Sequence, residues 1–256
     1  MPFQSVSKRI SNHFRRRRRL RRFRKWSQED QQRLVFYRQF IAPGDVVFDV
    51  GANLGNRAKV FHRMGAVVVA VEPQTQCADF LQTAFRSEKN FHLVRKALGS
   101  APGEAEMMIC PADTISSLSS QWVQAVQESG RFPGHQWNDR QRVDVATLDH
   151  LISQFGRPAF VKIDVEGFED QVVAGLSTAV GGVSMEFTPE FIDSTLKCID
   201  HLCSLGDPRF QLSIGESLEF TSAQWATANE IKRRLAAAPA ESFGDLYARF
   251  DDRQAA

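Results

Sequence analysis

An acid at the end of an apolar run, two glycines just beyond it, and a second acid closing the next apolar run form the chemically most specific pattern in this chain. The first run is Val46-Val47-Phe48-Asp49-Val50, passing into Gly51-Ala52-Asn53-Leu54-Gly55. The second is Val67-Val68-Val69-Ala70-Val71, ending on Glu72-Pro73. Asp49 and Glu72 lie 23 residues apart, close to the roughly 20-residue spacing between a nucleotide-binding glycine turn and its ribose carboxylate. Gly51 and Gly55 carry no Cβ, so the backbone there can turn sharply and pass close to a ligand. Glu72 can accept two hydrogen bonds from a ribose diol.

What the turn lacks decides between nucleotides. A dinucleotide fold uses G-x-G-x-x-G to seat a pyrophosphate on bare amides at a helix N-terminus. Here Asn53 stands where the second glycine would fall, and Asp49 directs negative charge into the same crevice. A pyrophosphate would be repelled and an ammonium attracted. S-adenosylmethionine has a ribose, an adenine and an ammonium but no phosphate, so the pattern favours it over NAD. Asp49 is expected at its amino-acid end, surrounded by Gly51, Ala52, Asn53 and Gly55. Glu72 and Pro73 fall at the ribose, and Lys96-Ala97 borders the adenine. Asn53 is also a candidate cap for the helix that follows.

A second acid-bearing block is Val161-Lys162-Ile163-Asp164-Val165-Glu166-Gly167-Phe168-Glu169, followed by Met185-Glu186-Phe187. Asp164 ends a buried strand, where ligands sit in open parallel sheets. Alternation puts Glu166 and Lys162 on its side if the strand continues that far. Glu186, at the end of the next strand, opens onto the same crevice. An ion pair stitching strand to helix, with Glu166 or Glu169 at the helix N-terminus, is the structural alternative. A hydroxyl acceptor must lose a proton, for which Asp164, Glu166 and Glu186 are the candidate bases, ahead of His135 and His150. The three carboxylates also permit, without requiring, a divalent metal.

The motifs Phe-Asp-Val-Gly-Ala-Asn-Leu-Gly, Val-Glu-Pro, Lys-Ile-Asp-Val-Glu-Gly-Phe-Glu and Met-Glu-Phe together resemble the FkbM-type methyltransferase family. The Lys162–Glu169 block is the most specific of them. Ala97-Leu98-Gly99 and Thr147-Leu148-Asp149 fall at the expected intermediate places, so the resemblance covers roughly residues 44–190. Arg57 departs from it, standing where an aromatic or small residue is common. The resemblance implies a Rossmann-like class I methyltransferase fold and methyl transfer from S-adenosylmethionine to an oxygen of a small molecule, sugar or glycolipid. It also implies roles for Asp164, Glu166, Glu186 and Lys162 near the acceptor. Ser116 and Ser117 lie in a segment that folds over the cofactor in that family, although turn formation alone accounts for both.

The elements that must position these groups alternate in type. A helix from Ser27 to Ile41, capped by Ser27 with Asp30 and turning Leu34, Val35, Phe36 and Phe40 inward, is ended by Pro43-Gly44. Strands then fall at 46–50, 67–71, 91–96, 142–146, 159–164 and 182–187, with helices at 55–64, 75–86, 147–154 and 168–175 between them. Such alternation gives a mostly parallel α/β sheet with helices on both faces. Residues 104–110 read as a strand. Residues 111–140 read as a long loop with at most a short helix near Trp122–Glu128, a length that suits a cover over a site. The last 60 residues mix helices (189–204, 222–236) with strands near 209–213 and 245–250, one of them antiparallel.

The chain has 256 residues, enough for one domain with a full core over 27–256. No apolar window is long enough to span a membrane, and the four cysteines show neither disulfide nor zinc spacing. A cytoplasmic, reduced protein is expected. The net charge of +2 hides an asymmetry: eleven of the 32 Lys and Arg lie in residues 1–26 with no acid, leaving 21 against 30 acids thereafter. That basic extension is expected to be mobile. Residues 15–26 suit an anionic surface, either a membrane, with Leu20, Phe23 and Trp26 at spacing three, or nucleic acid. A transit peptide or a solvated extension without a partner shares the same composition. Two rival readings follow: an RNA methyltransferase with an arginine arm, and a non-catalytic ligand- or partner-binding domain. The acidic body speaks against nucleic acid on the catalytic face itself.

Overall fold

Runs of valine, isoleucine and phenylalanine bounded by turn residues become the strands at the centre of the sheet, because such side chains fill a pleated surface buried on both faces. The computed structural model describes residues 18–239 and 241–250. Helix α1 (Gln28–Tyr37) leads into β1 (Val46–Val50), α2 (Asn56–Arg63), β2 (Val67–Val71), α3 (Thr75–Ala84) and β3 (Phe91–Val94). Then come β4 (Ala97–Leu98), β5 (Gly103–Ile109), α4 (Ser120–Ser129), β6 (Asp139–Ala146) and α5 (Leu148–Phe155). The chain continues through β7 (Phe160–Ile163), α6 (Glu169–Ala174), β8 (Gly182–Phe187) and α7 (Ile192–Ser204). It closes with β9 (Arg209–Ile214), α8 (Ala228–Ala236) and β10 (Gly244–Arg249).

Seven strands form one sheet in the order β3-β2-β1-β7-β8-β10-β9, parallel except for β10, which runs antiparallel to both neighbours. The order reverses between β1 and β7, so the crevice beyond their carboxyl ends is the topological switch point where ligands bind. Register fixes which side chains share a face: Asp49 lies opposite Lys162, Lys162 opposite Ser184, and Glu186 opposite Asp245. With a side-chain period of two, Asp49, Lys162, Glu186 and Asp245 therefore all point to one face. That face packs on α1, α2 and α3 through Tyr37, Phe61 and Leu81 with Val47, Val68 and Phe160. The other face packs Phe48, Val69 and Ile163 against Leu151, Val172, Ile199 and Ile231 of α5 to α8.

Local signals account for the helix starts. Ser27 and Asp30 form the expected capping box, with hydrogen bonds of 3.1 and 2.8 Å, worth about 1 kcal/mol. Within α1 the inward face is Leu34, Phe36 and Tyr37, whereas Val35 is 59% exposed, since the helical period carries position 35 away from the sheet. Helix α8 begins at Ala228 and not near 222. Ala226 exchanges both backbone hydrogen bonds with Phe210 of β9, and Thr227 and Glu230 form a capping box just after it.

Two segments differ from the sequence expectation. Residues 111–140 are structured: a 3-10 turn over Asp113–Ile115, α4, and a β6 that starts at Asp139. Trp122, Val126, Trp137 and Ile115 build a separate small core there, which periodicity along a short, polar segment did not reveal. Its strands β4, β6 and β5 form a three-stranded sheet. In the basic extension, residues 1–17 lie outside the described part. Residues 18–23 are helical and lie against the domain. Phe23 packs edge-on against Phe80 and Phe85 at 5.4 and 5.6 Å. Among the described residues all four cysteines are free thiols, and no helix is long and apolar enough to cross a membrane.

Candidate functional site

A cavity of about 330 Å³ opens beyond the carboxyl ends of β1, β2, β7 and β8, lined by Asp49, Gly51, Ala52, Asn53, Glu72, Pro73, Lys96, Ala97, Asp164, Glu166 and Glu186 of the residues assigned from the sequence, but not by Gly55 or Lys162. Gly51 adopts φ +79, and a Cβ there would sit 1.8 Å from the carbonyl oxygen of Asp164. Only glycine lets the turn after β1 touch the end of β7. The turn is tied to β2 as well: Glu72 accepts backbone N–H groups from Asn53 and Gln74, both at 2.7 Å. The Asn53 side chain accepts from the amide of Leu54 at 2.7 Å, and Gly55 occupies the N-cap of α2. Asn53 thus shapes the turn and does not cap the helix. Its φ of +48 is a conformation that Asn tolerates better than most residues.

Asp49 is 2% exposed, and one of its carboxylate oxygens has no hydrogen-bond partner among the described residues. A buried, unsatisfied acceptor facing a cavity fits the ammonium of S-adenosylmethionine. Ala97, Leu98, Met107, Leu118 and Phe168 give the same cavity an apolar slot that fits adenine. Burial raises the Asp49 carboxyl from 3.8 to about 6, against the pull of Arg57 and Lys162. A carboxyl raised on folding contributes stability below its unfolded value and loses it as pH rises through about 6. Two results are expected. Asp49→Asn should raise the melting temperature of the cofactor-free protein at pH 7 by several degrees while weakening cofactor binding at least tenfold. In the wild type, binding below pH 6 should release a proton, read as a buffer-dependent heat in calorimetry.

At the opposite wall, oxygens of Asp164, Glu166 and Glu186 lie within 4.8 Å of one another. The strand expected to reach Glu166 stops at Ile163. Glu166 comes beside Asp164 through a turn in which Glu166 and Gly167 take φ +56 and +84, an arrangement costly for a non-glycine residue. Three contacts hold it. Ser117 donates to the Glu166 carbonyl at 2.6 Å. Glu169 accepts from Val165 and Gly167 at 3.1 and 3.3 Å. Trp122 of α4 lies against Gly167, where an added Cβ would come within 2.4 Å of three of its atoms. Ser117 is therefore more than a turn residue, since it joins the inserted segment to the acidic loop.

Lys162 is 1% exposed, and its Nζ lies 3.0 Å from Asp245 and 3.3 Å from Asp164. Burial alone would lower its pKa, but those two carboxylates more than offset it and hold the ammonium charged. Asp164 faces the cavity with 38% of its side chain exposed. Burial would raise its carboxyl, and Lys162 and Arg57 outweigh that and bring it below the usual range. Glu166 and Glu186 behave oppositely. Burial, then Glu186 and Asp164, push Glu166 well up, and burial, then Asp164 and Glu169, do the same to Glu186. One ionised carboxylate therefore stands beside two that bind protons readily. The same oxygens could hold a divalent cation, with the Lys162 ammonium competing at Asp164.

Some site residues carried no clear sequence signal. Arg57, noted only as a departure from the family pattern, lines the cavity, with an ion pair of 3.1 Å to Glu216 and its Nε without a partner among the described residues. Asp245 was hidden because only the antiparallel course of β10 brings its first residues beside the end of β8. His135 and His150 are exposed and line no part of the cavity, which removes both as bases.

A seven-stranded sheet with one reversed strand beside its edge, and paired acids at the ends of its first two strands, defines a class I S-adenosylmethionine-dependent methyltransferase. The Methyltransferase FkbM domain matches residues 49–231. The chain belongs to that family. A comparison with curated protein sequences found no match. Solved structures with a similar arrangement include precorrin-6y C5,15-methyltransferase from Geobacter metallireducens (11% identity, TM-score 0.45, 85% of this chain and 88% of that one). Another is a SAM-dependent O-methyltransferase from Thermotoga maritima (10% identity, TM-score 0.40, 86% and 64%). A third is Aeropyrum pernix fibrillarin with natively bound S-adenosyl-L-methionine (11% identity, TM-score 0.39, 81% and 67%).

Proposed function

We propose that the protein methylates a hydroxyl oxygen on a small molecule or glycan, with Asp49 and Glu72 holding the cofactor and Glu166 and Glu186 serving the acceptor. The observation that carries this reading is the Asp164–Glu166–Glu186 cluster, which shares one cavity with the unsatisfied Asp49 carboxylate. When bound, S-adenosylmethionine supplies a methyl group on a positively charged sulfur, already activated for transfer. The protein's part is then alignment of the acceptor and removal of its proton.

Asp164, kept ionised by Lys162, accepts a hydrogen bond from the acceptor and favours positive charge beside it. The Glu166–Glu186 pair takes the proton, because a base with an elevated pKa removes a hydroxyl proton better than an ordinary carboxylate. A nearby positive charge lowers the pKa of both groups and readies one of them. Arg57 and Glu216 close the cavity on the α2 side.

Calorimetric titration of S-adenosylmethionine and S-adenosylhomocysteine tests the cofactor half. Micromolar binding is expected in the wild type, with at least a tenfold loss in Glu72→Ala, since Glu72 holds both the ribose and the glycine turn. Absence of binding to the wild type would refute the cofactor assignment.

A further inference from the structure

The basic extension has a place in the fold that its composition did not indicate. Arg18, Arg19, Arg21, Arg22, Arg24 and Lys25 are exposed, while Phe23 is turned onto α3 and fixed there by Phe80 and Phe85. Lys59 of α2 donates to the Phe23 carbonyl at 3.1 Å and pairs with Asp30 of α1 at 2.6 Å, so the segment is clamped from below. Because Phe23 is used on the domain, the outward face is mainly cationic, with Trp26 the exposed large apolar side chain among the described residues of the segment. Insertion of Leu20, Phe23 and Trp26 into a bilayer does not fit this arrangement.

Between this segment and α1 runs a groove of about 960 Å³ lined by Arg19, Arg22, Lys25, Arg33 and Lys59, with Glu29 and Asp30 its only carboxylates among the described residues. Arg33, Leu54 and Asn56 line both the groove and the catalytic cavity, so the two lie side by side and share a wall. The cavity's far wall is the carboxylate cluster, which repels anions, whereas the groove attracts them. A ligand spanning both would be anionic at one end and carry a neutral hydroxyl at the other.

We propose that this groove binds the phosphate groups of the methyl acceptor, so that the substrate is a phosphorylated small molecule or saccharide. The inference rests on the methyl-transfer reading above. Concavity separates it from a flat membrane surface. Single-stranded nucleic acid needs open aromatic faces for its bases, but Phe80 is covered by Phe23 and lies under the Arg19 guanidinium, and Lys59 and Arg63 lie over Trp26. Trp26 does not line the groove, and the aromatics that do, Phe23 and Phe80, are packed on each other, so the groove offers a ligand arginine and lysine, which suit phosphates.

Binding to the full chain is measured by calorimetry at low and at physiological salt with glucose 1,6-bisphosphate, glucose, a 20-nucleotide RNA, and vesicles containing phosphatidylserine. The bisphosphate is expected to bind and glucose not to, with affinity falling at higher salt and at least tenfold in Arg22→Glu/Lys25→Glu. Titration of S-adenosylhomocysteine on the same samples separates loss of the groove from loss of the fold. Equal bisphosphate affinity in wild type and variant, or none in either, overturns the proposal. RNA or vesicles bound in place of the bisphosphate, with the same sensitivity to charge reversal, overturn it in favour of a polymer or a surface. Bisphosphate binding without cofactor binding leaves the groove standing and removes the methyl-transfer reading.

Discussion

Lys162→Met is expected to destabilise the protein by about 3–5 kcal/mol, the effect of removing one partner from a buried ion-pair network. The ammonium is 1% exposed and bonded to Asp245 and Asp164, so its removal leaves two carboxylates facing each other without a cation between them. Methionine fills much of the lysine's volume, which keeps the loss electrostatic and does not open a cavity. The pH dependence separates this from a packing defect. In the wild type, Asp164 is depressed on folding, so its contribution is present above the ordinary carboxylate range and is lost as pH falls through its folded value. In the variant the carboxylates can protonate at little cost, so the difference from wild type should shrink as pH falls through that range. Denaturant melts at pH 7 and pH 4.5 provide the comparison, and a constant difference would exclude the electrostatic account. Lys162→Met/Asp245→Asn should recover part of the loss, since it removes one of the stranded charges.

Glu166→Gln and Glu186→Gln are expected to lower kcat by about 10²–10⁴, the usual worth of a positioned general base. Both amides keep size and hydrogen bonding, so S-adenosylhomocysteine affinity should stay within a few-fold of wild type. The wild-type rate should rise with pH through a limb above the ordinary carboxylate range, because burial and neighbouring carboxylates push both groups up. Removing either glutamate should move that limb down, as its partner loses a like-charged neighbour. Release of S-adenosylhomocysteine in the presence of a hydroxylated acceptor measures all of this. Two unaffected rates would remove the pair as proton acceptor. Turnover abolished by excess chelator and restored by magnesium would reassign the three carboxylates to holding a divalent cation.

The cavity wall beyond β1 and β2 was readable because it is local. Asp49 to Leu54 and Glu72 belong to two short βα turns, where residue type and spacing decide backbone shape, and the structure brings them to one cavity. The strands of the sheet were readable for a related reason, since burial on both faces leaves continuous apolar runs. The acceptor half was less so. Asp164 and Glu166 were paired by assuming a longer strand, but their proximity comes from a left-handed turn held by Ser117 and Trp122, 49 and 45 residues away in the chain.

Sequence alone thus determined the family, the parallel sheet and the acids at its strand ends, because period-two burial and glycine turns act over a few residues. Only the tertiary structure decided which charges meet. Asp245 reaches Lys162 because β10 runs backwards between β8 and β9, and Arg57 faces the cavity because α2 packs over β1. The arginine segment is likewise placed by where Phe23 lands, a contact between residues more than fifty positions apart. Electrostatic partnership depends on distance and burial, and neither is written in the order of residues along the chain.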